Sequence, residues 1–394
     1  MKIIANANSL LSPWTGIGQY TAHLLSTLKE IDTINEYHYY YGFFSQSLPP
    51  IKKLDPSADR NSLEQYKILL FKNLRTILTQ IPLLGPLRRN LRSWYSKMTQ
   101  VGKPQEFDLY FEPNFLPVDE IKAKKIVTMM FDLSAILYPE WHPEERTRSF
   151  RKYFDQSLSK SNGILTATQF VKNQMIEHLK IPADKIYVTP ICCNEIFYKP
   201  PSDQEQLDIK PLPKNYILFV GSIEPRKNVL SLLKAFQHLP SNYKKESTIL
   251  FCGPKGWKNK EVFEFIAQNK MEPIVQFRHY VSNEELQILY NKALALVYPS
   301  FYEGFGLPPL EAMSSGCPVL ASNIPTHKEI CGDGVLYADP FSWEDIADKL
   351  KKIFDDSALR KNLIERGKKR AHDFSWEKTA KSTLDVFNCV AQQP

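Results

Sequence analysis

Residues 303–311 read EGFGLPPLE, two carboxylates eight positions apart that bracket two glycines, a phenylalanine, two leucines and two adjacent prolines. Glycine lets a backbone come close to a ligand. Proline is tolerated in the first turn of a helix, where its missing N–H is one the helix leaves unpaired anyway. The stretch reads as a loop that enters a helix near Pro308, with Glu311 expected in the first turn and Glu303 ahead of the loop. Just upstream, LALVYPS has the length and composition of a buried strand ending near Tyr298. Strand, glycine loop and helix make the repeating unit of a parallel α/β sheet, and such sheets bind ligands beyond the carboxyl ends of their strands.

The same alternation continues through the C-terminal half: YILFVGS, a helix over 228–239, STILFCG, a helix near 261–268, IVQFRHYV and NEELQILYNKA. The N-terminal half repeats it with KIIANANS, a glycine turn in PWTGIGQ, the helical run YTAHLLSTLKEI with Leu24, Leu25 and Leu28 on one face, and the strands YHYYYGFF, EFDLYFEPN and KKIVTMMFDLS. A chain of 394 residues exceeds what one core usually serves, and its 43% hydrophobic content suits a globular protein. Two doubly wound α/β domains are therefore expected, over 1–199 and 216–374. The proline-rich stretch 200–215 is the linker, and a last helix over 375–394 could pack on either domain.

The six cysteines include the adjacent pair Cys192 and Cys193 but no CxxC and no histidine spacing suited to a metal. No metal site is expected, and a reduced, cytoplasmic setting follows. The N-terminal apolar run is too short for a signal peptide, and no stretch of about 18 apolar residues would span a bilayer. Net charge is +7. Its placement is uneven: Lys67, Lys72, Arg75, Arg88, Arg89, Arg92, Lys97 and Lys103 face Glu64 alone between positions 62 and 103, so this segment carries the whole excess. Apolar residues recur through it at helical spacing on either side of PLLGP, which reads as a helical hairpin. Its apolar face either packs on the N-terminal domain, leaving a solvated basic face, or docks the chain peripherally on an anionic membrane. No zinc finger, RNA-binding signature or basic-region pattern accompanies it, so no nucleic-acid partner is expected.

Three loops of the C-terminal half should share one rim: VGSIEPRKN, CGPKGW and PSFYEGFGLPPLE. The backbone N–H groups of Phe305, Gly306 and Leu307, at a helix N-terminus, suit phosphate oxygens. Arg226 and Lys227 suit a charge clamp on a diphosphate, and Gly221 opens the same loop. Acids beside a phosphate site then serve as acceptors for sugar hydroxyls. Each element also has a plainer reading. Glu311 near a helix start is favourable to the helix dipole by itself, worth about 0.3–1 kcal/mol; the Arg226–Lys227 pair suits an exposed turn; Gly16 and Gly18 suit a tight strand-to-helix turn.

Taken together, GSIEPRKN followed by EGFGLPPLEAMSSGCPVLAS resembles the donor half of a retaining glycosyltransferase of family 4, a GT-B fold in which two Rossmann-like domains face each other across a cleft. TGIGQYTAHLL, FDLSAILYPEWHP and KIPADKIYVTPICCNEIFYKP are similar to that family's N-terminal domain. The resemblance implies transfer of a sugar from a nucleotide-diphosphate donor with retention and without a bound metal or other cofactor. It implies that Arg226 and Lys227 hold the diphosphate, that Glu303 contacts the donor sugar and that Phe305, Gly306 and Leu307 offer N–H groups. Glu311 would hold the ribose, and Gly16 and Gly18 would line the cleft from the other domain. One position departs from the family: Phe131 precedes Asp132 where a histidine commonly stands, and a phenyl ring cannot make a histidine's hydrogen bonds to the sugar. Asp132 is then either a cleft residue or a turn cap. The closest resemblance is to bacterial mannosyltransferases of O-antigen, capsule or exopolysaccharide assembly. This implies GDP-mannose as donor and a glycan on polyprenyl diphosphate as acceptor, at the inner membrane face. The alternatives are a sugar-nucleotide 2-epimerase of the same fold and a catalytically degenerate sugar-nucleotide-binding subunit.

Overall fold

The computed structural model describes residues 1–11, 16–48, 106–201, 211–279 and 281–394. The basic segment 62–103, and with it the expected hairpin and membrane contact, lies outside the described residues. The first sheet comprises β1 (Lys2–Asn6), β2 (Glu36–Tyr40), β3 (Phe44–Ser45), β4 (Phe107–Glu112), β5 (Ala123–Met129), β6 (Gly163–Thr166) and β7 (Ile186–Val188), in the order β3-β2-β1-β4-β5-β6-β7. All neighbours are parallel except β2 and β3. The second sheet comprises β8 (Tyr216–Val220), β9 (Thr248–Cys252), β10 (Val275–Arg278), β11 (Ala295–Tyr298), β12 (Val319–Ser322) and β13 (Leu336–Ala338), all parallel, in the order β10-β9-β8-β11-β12-β13.

The central strands of the second sheet read as continuous apolar runs because both of their faces are buried. Ile217, Leu218, Phe219, Leu296 and Val297 are all fully buried. In the second sheet the strand order reverses between β8 and β11, which pair through Ala295 opposite Ile217 and Leu296 opposite Leu218. The loops leaving these two strands therefore splay apart and open a crevice between them, where an open α/β sheet binds its ligand. They are the loops that carry Arg226, Lys227 and Glu303.

The last helix, Trp376–Ala391, lies on the first sheet beside the Gly16–Ile31 helix. Its start is capped by the Ser375 side chain, which accepts the Lys378 N–H. The Phe387 ring sits 5.3 Å from Phe111, the Trp376 indole donates to the Cys193 carbonyl at 2.9 Å, and Val390 occupies the space where Gly163 lacks a Cβ. Phe387 and Val390 are fully buried, each worth about 1.5–3 kcal/mol of apolar transfer. One apolar cluster runs from Phe111 and Val127 of the first sheet through Trp376 to Phe305 and Leu296 of the second, so the two domains share packing.

Candidate functional site

The crevice is built from its two loops. After β8, the Gly221 N–H donates to the Cys252 carbonyl at 2.8 Å, so this donor is committed to β9 and does not face the crevice. Gly221 contributes room instead: a Cβ there would lie 3.7 Å from the Lys227 side chain. Residues Pro225–Lys227 form a single 3-10 turn closed by Asn228 at φ 55°. The Asn228 amide donates to the carbonyls of Pro299 (3.0 Å) and Pro340 (2.7 Å), and the Phe301 N–H donates to the Arg226 carbonyl at 2.9 Å. The turn is thus sewn to the loop after β11, with both cations aimed at it.

Four charges meet there. The Lys227 ammonium donates to Glu303 Oε1 at 2.7 Å and to the Tyr298 hydroxyl. The Arg226 guanidinium donates through one Nη to Glu303 Oε2 (2.8 Å) and the Tyr302 carbonyl (2.9 Å), and through the other to Glu224 Oε1 (2.9 Å). Glu224, Lys227 and Glu303 are 4%, 8% and 6% exposed, so these charges are held by one another rather than by water. Burial alone would raise the Glu303 carboxyl, but Arg226 and then Lys227 outweigh it and hold it well below the usual carboxylate range. Burial lowers Lys227, with Glu303 opposing it, and burial raises Glu224 against the pull of Arg226. Glu224 was not legible as a site residue, although a carboxylate two positions before Arg226 in the same turn is the one signal that could have found it.

The loop after β11 then passes Gly304 and reaches Gly306 at φ 92°, a left-handed conformation that favours glycine. Gly306 stands at the N-terminus of the Leu307–Ser314 helix with no side-chain cap. The hydrogen bonds of the described residues leave the N–H groups of Phe305, Gly306 and Leu307 without a protein acceptor. The loop is braced from behind by Thr326, whose hydroxyl donates to the Glu303 carbonyl at 2.6 Å, and by the His327 ring beside Gly306. Glu311 is the fifth residue of the helix and not in its first turn, because the helix starts at Leu307, ahead of both prolines. Its half-buried carboxylate accepts the Tyr290 hydroxyl at 2.9 Å. Burial pushes it up to about 7, with the Tyr290 bond only partly opposing.

The facing wall comes from the first domain. Gly16 and Gly18 lie inside the first turn of the Gly16–Ile31 helix, not in a turn before it, and nothing stands within 4 Å of the position a Gly16 Cβ would take. The Phe131 ring packs edge-on against Tyr20 at 5.0 Å, and its carbonyl lies against Gly304, where a Cβ would come within 2.0 Å. Asp132 makes the contacts of a turn cap and lies near Arg226. Its Oδ1 accepts the N–H (2.8 Å) and hydroxyl (2.6 Å) of Ser134, while its charge acts on Arg226 across the cleft. The structure therefore gathers Arg226, Lys227, Glu303 and the free N–H groups, brings Phe131 and Asp132 against them, and sets Glu311 apart. Among the described residues no group of three or more histidine, cysteine, aspartate or glutamate side chains could hold a metal ion, and no helix is long and apolar enough to cross a membrane.

Two cations, a helix N-terminus and three N–H groups without a protein acceptor among the described residues are the donors that suit an anion, and the two carboxylates are acceptors of the kind that suits hydroxyls. Comparison with known proteins agrees with that chemistry. Residues 203–370 match the family described as glycosyl transferases group 1. The chain is 32% identical to O-antigen chain mannosyltransferase B of Escherichia coli over 99% of its own length and 100% of that protein's. It is 30% identical to O-antigen chain mannosyltransferase RfbU of Salmonella typhimurium over 58% of this chain and 62% of that one. Among solved structures, sucrose-phosphate synthase from Thermosynechococcus elongatus superposes with a TM-score of 0.71 at 16% identity, covering 99% of this chain and 98% of that one. WaaG, a glycosyltransferase of lipopolysaccharide biosynthesis, superposes with a TM-score of 0.65 at 15% identity, covering 98% and 99%. With the fold, the donor-side motifs and a full-length relative in agreement, the chain belongs to the group 1 glycosyltransferases and has the GT-B fold.

Proposed function

We propose that this glycosyltransferase moves mannose from GDP-mannose, with retention of configuration, onto a glycan carried on polyprenyl diphosphate at the cytoplasmic face of the membrane. The observation that carries the reading is Glu303 shared between Arg226 and Lys227, opposite the unpaired N–H groups of Phe305, Gly306 and Leu307. The mannose and the polysaccharide setting are supported by the O-antigen mannosyltransferase relatives.

The donor's diphosphate takes over the cations and the N–H groups, which releases Glu303 to accept hydrogen bonds from the sugar hydroxyls. Glu311 accepts the ribose hydroxyls. As the glycosidic bond breaks, positive charge grows on the sugar and negative charge on the departing diphosphate. Fixed cations and a helix N-terminus aimed at that diphosphate stabilise the transition state more than the ground state. No nucleophile from the chain enters the scheme: the acceptor hydroxyl attacks from the departing side and gives its proton to a donor phosphate oxygen. Asp132 lies on the acceptor side, and Phe131 lines the sugar end without hydrogen bonding to it.

The test is transfer from a panel of nucleotide sugars to lipid-linked acceptors, with and without a chelator, and the anomeric configuration of the product read by NMR. GDP-mannose should give an α-linked product at the same rate in both conditions. Conversion of the donor without an acceptor would favour the epimerase. Binding without turnover across the panel would favour a degenerate subunit.

A further inference from the structure

The loop that carries Glu303 is also the strip along which the two domains meet. Tyr302, 3% exposed, accepts the Leu133 N–H at 3.1 Å and donates its hydroxyl proton to Gln174 Oε1 at 2.8 Å, both in the first domain. Two residues on, the Gly304 carbonyl accepts the Thr168 hydroxyl at 3.0 Å. Thr168 also caps the Gln169–Leu179 helix by accepting the Val171 N–H at 3.2 Å. The first two N–H groups of that helix, Gln169 at 2.6 Å and Phe170 at 3.0 Å, are taken by the Glu329 carboxylate of the second domain. Gly304 fits only because it has no Cβ to meet the Phe131 carbonyl.

Glu303 is therefore bracketed. The second domain holds it through Arg226 on the Tyr302 carbonyl and Thr326 on its own carbonyl, and the first domain grips the residue on either side. At the nucleotide end Lys227, Glu311 and Tyr290 all belong to the second domain, and the first domain meets that end away from Tyr302, through Phe197 edge-on against the Tyr290 ring at 5.8 Å and Cys193 beside Ser314.

We propose that Tyr302 and Thr168 are positioning residues. Docking of the first domain on Tyr302 and Gly304 sets the backbone from which Glu303 reaches the donor sugar. The sugar contact then depends on Tyr302 and Thr168, whereas Lys227 and Glu311 hold their partners without them. The inference rests on the donor-site reading above.

The experiment uses the full chain and three variants: Tyr302→Phe, which keeps the ring against Tyr138 and Phe170 but removes both hydrogen bonds, Gln174→Leu, and the double variant. GDP affinity by calorimetry should stay within about twofold in all three. The kcat for transfer should fall about tenfold to a hundredfold in Tyr302→Phe, the size of loss a small misplacement of a reacting group causes. The double variant should be no slower than Tyr302→Phe. An unchanged kcat, a parallel loss of GDP affinity, or losses that multiply in the double variant would overturn the proposal. Amide exchange at Glu303 and Gly304 separates this inference from the one beneath it. If the parent chain binds GDP and transfers nothing, the donor reading fails, yet faster exchange in Tyr302→Phe still supports the clasp, and unchanged exchange defeats it.

Discussion

Glu303 and Glu311 stand at the two ends of one short loop and helix, and the fold gives them opposite electrostatics. Glu303 is gripped by Arg226 and Lys227, which overcome its burial and keep it ionised across any working pH. Glu311, with no cation beside it and only the Tyr290 hydroxyl as partner among the described residues, is pushed up to about 7. One residue type thus yields a fixed anion at one end and a titrating group at the other, and the difference lies in which loops the strand order brings together. The cations come from the loop after β8, which the switch point sets beside Glu303 but not beside Glu311.

The contrast is broken most severely by Glu303→Gln. An amide cannot replace a charged acceptor at a centre where positive charge develops, so kcat should fall about 10²–10³-fold, with GDP affinity undiminished. The variant should also lose about 3 kcal/mol of stability, because Lys227 stays buried without its counter-charge. Unchanged transfer would remove Glu303 from the sugar contact. Lys227→Ala comes next. Loss of a charged hydrogen bond worth about 1.5–3 kcal/mol should weaken GDP about tenfold or more, and equal affinity by calorimetry would take it out of the clamp.

The Glu311 end is sharpened by pH. Two ribose hydroxyls donate best to an ionised carboxylate, so GDP affinity should rise by up to about tenfold between pH 6 and 8, and Glu311→Gln should flatten that rise. Stability runs the other way. The folded pKa lies above the ordinary 4.5, so its contribution is complete below the unfolded value and is lost as pH rises through about 7. The melting temperature of the free protein should therefore fall over the window in which GDP binding improves. His23, His142 and His327, each lowered to about 4 by burial, stay neutral throughout. The smallest effect belongs to Tyr290→Phe. Removing the one hydrogen bond that opposes burial at Glu311 should move the affinity midpoint to higher pH at a cost of about 1 kcal/mol. A midpoint that does not move would mean that the Tyr290 hydroxyl does not tune Glu311.

The architecture was legible because the central strands of the second sheet, β8, β9 and β11, are apolar runs that lead into glycine-bearing loops, and β1, β4 and β5 carry apolar runs of similar length. β6, β7, β12 and β13 escaped notice because three or four residues are too few to display a period, whereas the equally short β10 and β11 sit in the longer runs IVQFRHYV and LALVYPS, and β3 is only two residues long. Arg226, Lys227 and Glu303 could be read from local spacing, since loop chemistry is written in adjacent residues. Glu311 was placed one turn too early because two prolines offer two starting points and the helix begins before both. Gly16 and Gly18 were taken for a turn because a helix that opens on glycine leaves no periodic mark. Tyr302, Thr168 and Gln174 were invisible as site residues: their partners lie 128 to 169 positions away in the chain, and nothing in a single sequence records which loop faces which.

The central claim is that one end of the EGFGLPPLE stretch reads the sugar and the other reads the nucleoside. Paired calorimetric affinities for GDP and GDP-mannose, measured at pH 8 on the parent, Glu303→Gln and Glu311→Gln, test it most directly. Glu311→Gln should weaken both ligands equally, by about tenfold, whereas Glu303→Gln should erase only the increment that mannose adds. Equal losses for GDP in both variants, or a Glu311→Gln loss confined to GDP-mannose, would contradict the account.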